Sequence, residues 1–375
     1  MKILYATISH YPRNPDLGSG TDYHFYSAFL RLGYEVKIVG PFNNKKFSFE
    51  NHLGRFYKRF TKRKYLKHQL TQALYFSKKL NENEKKFKPD FVFSIFPSAL
   101  AFYTGNSPCI FRTDTCLESL QEISEIYGNY GRIPFSIMRW MEKQAINKSK
   151  VILVVSKWTR DEIIKKHKIE ESKVKLIPMA SALPLDMTPV ELQNEIKKSI
   201  HNPIQLLLVG RNYYGKGVDI AIDAVNILNE KGIPCKLTVC GCSGENNNFV
   251  EFVGPFSKSN SEELEKYIDL YKNADILIHP SRYDGAGIVP AEAAAFAVPT
   301  ITNDVGGLST TVTHNETGIV LPNSSPSEKY AETIIRLINE PEFYRKLSLG
   351  ARKKFEDEQN WFVVGEIVDK IIKNS

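Results

Sequence analysis

Short apolar runs recur along the chain and alternate with longer stretches whose apolar residues have helical spacing. The short runs predict strands at residues 3–8, 36–39, 91–96, 151–155, 204–209, 237–240, 276–278 and 299–302. Apolar runs separated by helices are typical of parallel strands that are buried on both faces. The pattern therefore predicts an α/β fold in which helices cover both sides of parallel sheets.

The alternation is interrupted in "SALPLDMTPVELQNEIKKSIHNP", residues 181–203, which contains three prolines. A chain of 375 residues is also long for a single hydrophobic core. We therefore predict two Rossmann-like, doubly wound domains, residues 1–182 and 203–357, joined by a linker at 183–202. The tail, 358–375, has apolar residues at helical spacing, and we expect this helix to pack back on the N-terminal domain.

The composition is that of a soluble globular protein, with 42% hydrophobic and 25% charged residues. No apolar run approaches the roughly 18 residues of a membrane span, and the N-terminus reads as a strand, so we expect a cytoplasmic protein. The five cysteines form no CxxC pair and have no histidine at the spacing of a zinc site. They are predicted to be buried thiols, and no metal site is expected.

The excess positive charge lies in one segment. Lys45 to His68 carries nine Lys or Arg residues against one acid, a net charge equal to the +8 of the whole chain, and six aromatic residues interleave with them. Such a segment can lie on the anionic inner face of a membrane, attract nucleic acid non-specifically, or form a solvated helix with an aromatic core side. No RNA-binding or helix-turn-helix pattern is present, so no specific nucleic-acid partner is expected.

Two cations follow the predicted strand at 204–209. The sequence there is "GRNYYGKG", in which Arg211 leaves the strand and Lys216 stands at the start of the next helix. Ligands of open parallel sheets bind beyond the carboxyl ends of the strands, and helix N-termini attract anions. We interpret the two cations as a diphosphate site, the alternative being solvated surface charges. The stretch is not a P-loop, because GxxxxGK[ST] is absent.

Two acids follow the predicted strand at 276–278, in "SRYDGAGIVPAEAAAFAVP". Glycines on both sides of Ala286 keep Asp284 in a loop, whereas Pro290 and the alanines after it predict a helix with Glu292 in its first turn. The small residues between the acids leave room for a ligand to approach the backbone. The alternative is a helix-capping aspartate and a glutamate favoured by the helix dipole.

Two further glycine pairs precede predicted helices. Gly306 and Gly307 in "NDVGGLSTTV" follow the strand at 299–302, and Gly18 and Gly20 in "NPDLGSGTDYHF" precede a helix that begins near Thr21. Each is a candidate phosphate-binding turn. Neither fits GxGxxG, so the dinucleotide fingerprint is absent.

Taken in order, "GRNYYGKG", the two acids separated by seven residues, and "NDVGG" resemble the donor-binding half of family 4 retaining glycosyltransferases of the GT-B fold. The resemblance is strongest over 203–322 and extends more loosely along the chain, including "GSG" and "VVSKW". It implies two Rossmann-like domains facing across a cleft, with a nucleotide-diphosphate sugar held by the second. The implied activity is sugar transfer to a glycan or lipid-linked acceptor in bacterial cell-surface glycan assembly. The enzyme would be hexosyltransferase-like and need no metal or other cofactor, consistent with the absence of a DxD motif.

The resemblance also implies residue roles. Arg211 and Lys216 would neutralise the departing diphosphate, Asp284 would contact the sugar, and Glu292 would accept hydrogen bonds from the ribose. Catalysis would consist of positioning and charge stabilisation, with a phosphate oxygen taking the acceptor's proton. The remaining implied donor contacts are Gly18, Gly20, Gly285, Ala286, Gly287, Ile288, Gly306, Gly307 and Leu308.

The chain departs from the family pattern at three places. Asp284 stands where the family usually has Glu, and Ala286 where Phe is common, so the sugar pocket is reshaped. In "CIFRTDT", Asp114 takes the place of a histidine near the sugar and is a candidate catalytic residue; the alternative is a strand-end cap. Two other functions stay open: a nucleotide-sugar epimerase of the same architecture, and a non-catalytic protein that binds sugar nucleotides or membranes.

Overall fold

The computed structural model describes residues 1–42, 48–65, 70–123, 128–183 and 200–375. The chain divides into two compact units, one of Met1–Ile177 with Gly365–Ser375 and the other of Pro178–Val364. Each unit contains a six-stranded parallel sheet with helices between the strands, which confirms the predicted α/β fold. The predicted linker, 183–202, lies almost wholly outside the described residues.

Unit 1 is built on a sheet with the strand order β2-β1-β3-β4-β5-β6. Its strands are Lys2–Ala6 (β1), Glu35–Val39 (β2), Phe91–Ser94 (β3), Cys109–Thr113 (β4), Ser149–Val154 (β5) and Val174–Leu176 (β6). Its helices are Thr21–Arg31 (α1), Ser48–Thr61 (α2), Leu70–Phe87 (α3), Pro97–Leu100 (α4), Leu117–Ile123 (α5), Arg132–Lys148 (α6) and Lys157–His167 (α7). Short 3-10 turns lie at Gly18–Gly20 and Glu171–Lys173.

Unit 2 has the order β12-β11-β10-β7-β8-β9. Its strands are Ile204–Val209 (β7), Cys235–Cys240 (β8), Val250–Val253 (β9), Ile276–His279 (β10), Thr300–Asn303 (β11) and Gly318–Leu321 (β12). Its helices are Val218–Glu230 (α8), Ser261–Asn273 (α9), Ile288–Ala295 (α10), Leu308–Thr311 (α11), Ser327–Asn339 (α12) and Pro341–Asp357 (α13).

The final helix, Trp361–Lys373 (α14), is divided between the units, since its residues from Gly365 onward belong to unit 1. There the Tyr34 hydroxyl donates a hydrogen bond to Asp369. Burial and this carboxylate raise the pKa of Tyr34, so the phenol keeps its proton and remains a donor. The tail of α14 is thereby held beside α1, whose Arg31 approaches the backbone of Gly365.

Most of the strands that the pattern predicted are buried along their length. Strands β7, β10 and β11 are buried along almost their whole length and read as apolar runs. The apolar pattern omitted β4, which is fully buried but ends in the polar residues Arg112 and Thr113. It also omitted β6, β9 and β12, each at an edge of its sheet, where the run is short. Edge strands are often very short, so their apolar runs are hard to recognise.

The strand order fixes where each unit can hold a ligand. In unit 2, β7 lies between β10 and β8, so the chain leaves β7 toward one side of the sheet and leaves β10 toward the other. Such a topological switch point opens a crevice beyond the carboxyl ends of the two strands. The topology of unit 2 therefore predicts a ligand site at the loops after β7 and β10.

We expect Leu208→Ala to destabilise unit 2 by about 2–5 kcal/mol, because Leu208 is fully buried in β7 and its removal leaves a cavity. Urea unfolding followed by circular dichroism measures the change. The matched control is Leu349→Ala, in which the same side chain is lost from an exposed position and the change stays within about 0.5 kcal/mol. Equal effects of the two substitutions would contradict the assigned core.

Candidate functional site

The loop after β7 is shaped by its own polar contacts. The amide of Gly215 donates a hydrogen bond to Asn212 Oδ1 at 2.8 Å, and Asn212 Nδ2 donates to the Tyr283 hydroxyl at 2.7 Å. Gly217 then caps helix α8 with a φ of +66°, and a Cβ there would lie 2.1 Å from the Pro280 carbonyl oxygen. Only glycine fits that position, so the turn delivers Lys216 to the start of α8 in a fixed direction.

The same loop is tied to the loop after β10. Arg282 binds both carboxylate oxygens of Asp219, at 2.8 and 2.6 Å, and its guanidinium lies 4.0 Å from the Tyr214 ring centroid. The Arg282 amide donates to the Gly215 carbonyl at 2.9 Å. Bidentate ion pairs with a stacked guanidinium are among the more rigid surface contacts. The two loops at the switch point are therefore held as one platform.

Lys216 and Asp284 meet on this platform. Lys216 Nζ lies 2.5 Å from Asp284 Oδ2, and His279 Nε2 lies 3.1 Å from the same oxygen. The other carboxylate oxygen, Oδ1, accepts from the Gly287 amide at 3.0 Å and more weakly from Ala286 at 3.3 Å. Asp284 thus holds the backbone just before α10 and also pairs with Lys216. The side chains of Lys216 and Asp284 are 23% and 13% exposed, so the pair can be reached by a ligand.

The charges of this cluster follow from its surroundings. Burial by itself raises the pKa of Asp284, but the Lys216 ammonium and the His279 hydrogen bond outweigh it and hold that pKa well below its usual range. Burial, reinforced by Lys216, lowers the pKa of His279, which leaves the imidazole neutral at pH 7. A neutral ring that faces a carboxylate through Nε2 carries its proton there, with Ser281 Oγ also 3.2 Å from Nε2.

Glu292 lies in a second, separate set of contacts. Its Oε1 accepts from Lys258 Nζ at 2.6 Å, and its Oε2 accepts from the hydroxyls of Tyr267 at 2.7 Å and Tyr271 at 2.6 Å. The carboxylate is buried. Burial and the Glu292 charge raise the pKa of both tyrosines, so they remain protonated donors. The two acids that the sequence pairs therefore have different partners in the fold.

One expectation about Glu292 is wrong. Helix α10 begins at Ile288, two residues before Pro290, so Glu292 stands in its second turn and not its first. Gly287 makes this earlier start available, because it takes a left-handed φ of +75° at the N-cap. Pro290 is tolerated inside the first turn, where amides have no intrahelical acceptor.

The other predicted donor residues of unit 2 have varied positions. Arg211 is exposed and forms no ion pair with any described residue. The Gly307 amide donates to the Asp284 carbonyl at 3.3 Å, and Leu308 is buried against Gly287. Gly285 and Ile288 are half-buried, and Ala286 is buried. Helix α11 after Gly307 has only four residues, so its dipole is much smaller than that of α8.

The predicted site residues of unit 1 lie just before α1 and just after β4. Gly18 and Gly20 form a 3-10 turn directly before α1, which begins at Thr21 as predicted, and Gly18 packs on the His10 ring. His10 Nε2 in turn lies 2.9 Å from the buried carboxylate of Asp22. Asp114 follows β4 with an exposed carboxylate 3.7 Å from Arg112. The donor and catalytic roles of Gly18, Gly20 and Asp114 remain predictions.

Sequence reasoning missed the partners of both acids. His279 is the last residue of β10, and a polar residue at a strand's carboxyl end could have been recognised by position. Tyr267 and Tyr271 are spaced i, i+4 on α9, a pattern as typical of a core face as of a site. No sequence signal places Lys258, which precedes α9, beside a residue on α10.

Two family models match the chain over most of its length. The model described as Glycosyltransferase Family 4 matches residues 23–180, and that described as Glycosyl transferases group 1 matches residues 190–354. The first match lies in unit 1, and the second covers the Lys216 and Glu292 clusters of unit 2.

Curated glycosyltransferases are similar in sequence to part of the chain. The capsular polysaccharide biosynthesis glycosyltransferase CapM of Staphylococcus aureus is 25% identical over 63% of this chain and 65% of its own length. The chain spans less than two thirds of the length of the curated relatives that it matches.

Solved structures show the same fold at low sequence identity. A sucrose-phosphate synthase from Thermosynechococcus elongatus matches with a TM-score of 0.72 at 16% identity, over 100% of this chain and 98% of that one. Anabaena HepE in complex with UDP-glucose matches with a TM-score of 0.65 at 15% identity, over 100% of both chains.

We expect Asp284→Asn to weaken the dependence of unit 2 stability on pH. An aspartate titrates near pH 3.9 in an unfolded chain, and Lys216 holds the folded pKa lower, so the pair stabilises the fold above about pH 4. That contribution is lost as the pH falls toward the folded pKa. Urea unfolding between pH 7 and pH 2 should therefore show the free energy of unfolding of the wild type falling toward that of the variant as the pH decreases.

The matched control for this pH series is Asp304→Asn, which removes an exposed carboxylate from a neighbouring loop of unit 2. Its stability curve should run parallel to that of the wild type. The same difference in free energy of unfolding between the wild type and Asp284→Asn at every pH would refute the charge assignment.

Proposed function

Because the chain belongs to glycosyltransferase family 4, we propose that it transfers a sugar from a nucleotide-diphosphate donor to a glycan or lipid-linked acceptor. The proposed transfer is hexosyl, proceeds with retention at the anomeric carbon and uses no metal. Likeness to a capsular polysaccharide glycosyltransferase supports a role in cell-surface glycan assembly. The named relatives and family models concern glycosyl transfer, which favours transfer over epimerisation.

The observation that carries this proposal is the Lys216–Asp284 pair at the switch point of the unit 2 sheet. An ammonium has three N–H donors, and Asp284 occupies one of them. Lys216 can therefore bind a phosphate oxygen without leaving Asp284. His279 and the Gly287 amide also donate hydrogen bonds to Asp284. Lys216 can therefore move toward a phosphate while the Asp284 carboxylate keeps these hydrogen bonds.

The local charge suits a diphosphate. Lys216 and Asp284 carry opposite charges and His279 is neutral, so a net positive charge in the loop after β7 would come from the exposed Arg211. The dipole of α8 adds partial positive charge in the same loop, and the Val218 amide itself donates to the Tyr213 carbonyl. Charge that builds on the departing diphosphate is stabilised by these groups, which are already oriented before the reaction. The proton of the acceptor then passes to a phosphate oxygen.

Glu292 and Lys258 are proposed to bind the ribose. Three donors already hold the carboxylate, yet its two oxygens have about four lone-pair directions, which leaves acceptor capacity for a ribose hydroxyl. The tyrosine hydroxyls fix the carboxylate in a single orientation. Rigid placement of this kind lowers the entropy lost when the ligand binds.

The acceptor side is proposed to involve a membrane. Within the described part of Lys45 to His68, helix α2 exposes Phe56 and Phe60, at 62% and 69%, among Arg55, Lys58 and Arg59. Of the three alternatives for this segment, the helix with an aromatic core side does not fit these two rings, because they face outward. Exposed aromatics among cations suit the interface of an anionic bilayer. Residues 45–47 and 66–68 of the segment lie outside the described residues.

An apolar groove adjoins this helix. It has a volume of about 530 Å³ and is lined by Leu70, Phe102, Arg132, Ile133, Ser136, Ile137 and Trp140. The Tyr57 ring of α2 packs on Gly131, immediately before the groove's Arg132. We place the hydrocarbon part of a lipid-linked acceptor there, with its anionic head group toward Arg132. No helix in the described part of the chain is both long and apolar enough to cross a membrane.

Donor binding is tested by thermal shift against UDP-, GDP-, ADP- and dTDP-sugars, followed by product analysis with an acceptor. One nucleotide series should raise the melting temperature of the wild type, since a ligand at 100 times its Kd stabilises by about 2.7 kcal/mol. Lys216→Ala should lose most of this shift. Lys353→Ala, which removes an exposed lysine from α13, serves as the matched control and should keep it. Absence of a shift and of turnover with every donor would refute the proposal.

Membrane binding is tested by co-sedimentation with vesicles. Binding should be strong with phosphatidylglycerol, weak with phosphatidylcholine alone, and reduced by Phe56→Ser/Phe60→Ser. Leu349→Ser, which removes an exposed apolar residue from α13, is the control. Equal binding to both lipids would exclude the anionic-surface role of α2.

A further inference from the structure

Three side chains that the proposed transfer does not use converge in unit 1. Cys116 follows β4, Glu142 lies in α6, and His167 is the last residue of α7. Their ligand atoms lie within 4.8 Å of one another, with Cys116 Sγ 3.7 Å from His167 Nε2 and His167 Nε2 3.3 Å from Glu142 Oε2. The third edge, from Cys116 Sγ to Glu142 Oε2, is 4.0 Å.

We propose that Cys116, Glu142 and His167 form a metal site that takes Zn²⁺. Zinc bonds of about 2.0–2.3 Å at tetrahedral angles place ligand atoms roughly 3.3–3.6 Å apart. The three measured edges are within a few tenths of an ångström of that range. A thiolate, an imidazole and a carboxylate are also the ligand types that zinc accepts, and with a divalent ion they form a neutral buried group.

Burial and a backbone contact support a preformed site. The Cys116, Glu142 and His167 side chains are all buried. The Leu117 amide donates to the Glu142 carboxylate, at 3.1 Å from Oε1 and 3.4 Å from Oε2, which orients the carboxylate. Contacts of this kind orient the ligands of metal sites. A fourth position would be filled by water, because no fourth ligating side chain joins the cluster among the described residues.

The competing account is an ordinary buried ion pair. Burial lowers the pKa of His167, but the Cys116 and Glu142 contacts raise it to about 9, so without metal the ring would carry a proton toward Glu142. That arrangement satisfies the charges but directs both the thiol and the carboxylate at one ring nitrogen. A metal ion explains why all three atoms converge. It would join α6, α7 and the segment that follows β4, including Asp114, into one rigid group.

The test is the metal content of the full chain, purified without a polyhistidine tag, dialysed against Zn²⁺ and then against metal-free buffer. Elemental analysis should find about one zinc per chain, and less than about a tenth of that in Cys116→Ser and His167→Gln. Cys109→Ser, which alters another buried thiol of unit 1, is the matched control and should keep its zinc.

Titration of the wild type with Co²⁺ decides the question even if the variants fail to fold. A bound cobalt ion should give a thiolate-to-metal charge-transfer band and visible absorption typical of tetrahedral coordination. No retained zinc and only the spectrum of aqueous Co²⁺ would overturn the proposal and leave the buried ion pair. Zinc retained equally by Cys116→Ser and His167→Gln would also overturn it.

Discussion

The ion pair between Lys216 and Asp284 is the contact on which the candidate site depends. It joins the loops that follow β7 and β10, and it forms where the strand order of unit 2 opens a crevice. The positive charge of Lys216 keeps Asp284 ionised, and the ionised carboxylate accepts the amides of Ala286 and Gly287, just before α10. The local backbone, the charge of the acid and the direction of the lysine are therefore coupled.

The two lysine–carboxylate pairs of unit 2 have different proposed roles in donor binding. The Lys216 pair is partly exposed, so it can exchange one contact for a phosphate oxygen at modest cost. The Lys258–Glu292 pair is deeper, and two tyrosine hydroxyls complete its hydrogen bonding. A buried pair is costly to separate, so it suits a fixed binding surface better than a moving part. In this proposal the Lys216–Asp284 pair rearranges when the ligand binds, whereas the Lys258–Glu292 pair stays fixed.

Much of the fold could be predicted from sequence because central parallel strands are continuous apolar runs. The pattern missed β4, whose run ends in Arg112 and Thr113, and the edge strands β6, β9 and β12, whose runs are short. The loops after β7 and β10 could be recognised as a site because glycines and charges directly follow strands. The partners of Glu292 could not, since Lys258 and the two tyrosines approach it from another part of the chain. The cluster at Cys116 could not be predicted for the same reason, since its three side chains come from the segment after β4 and from two helices.

The central claim is that Lys216 recognises the diphosphate of the donor. The most direct measurement is isothermal titration of UDP and UMP, and of the GDP and GMP pair, into the wild type and Lys216→Ala. The account predicts that the wild type binds one diphosphate at least about tenfold more tightly than its monophosphate, a difference of about 1.4 kcal/mol, and that the variant loses this preference. An unchanged preference in Lys216→Ala would contradict the account, since the diphosphate would then be held by other groups.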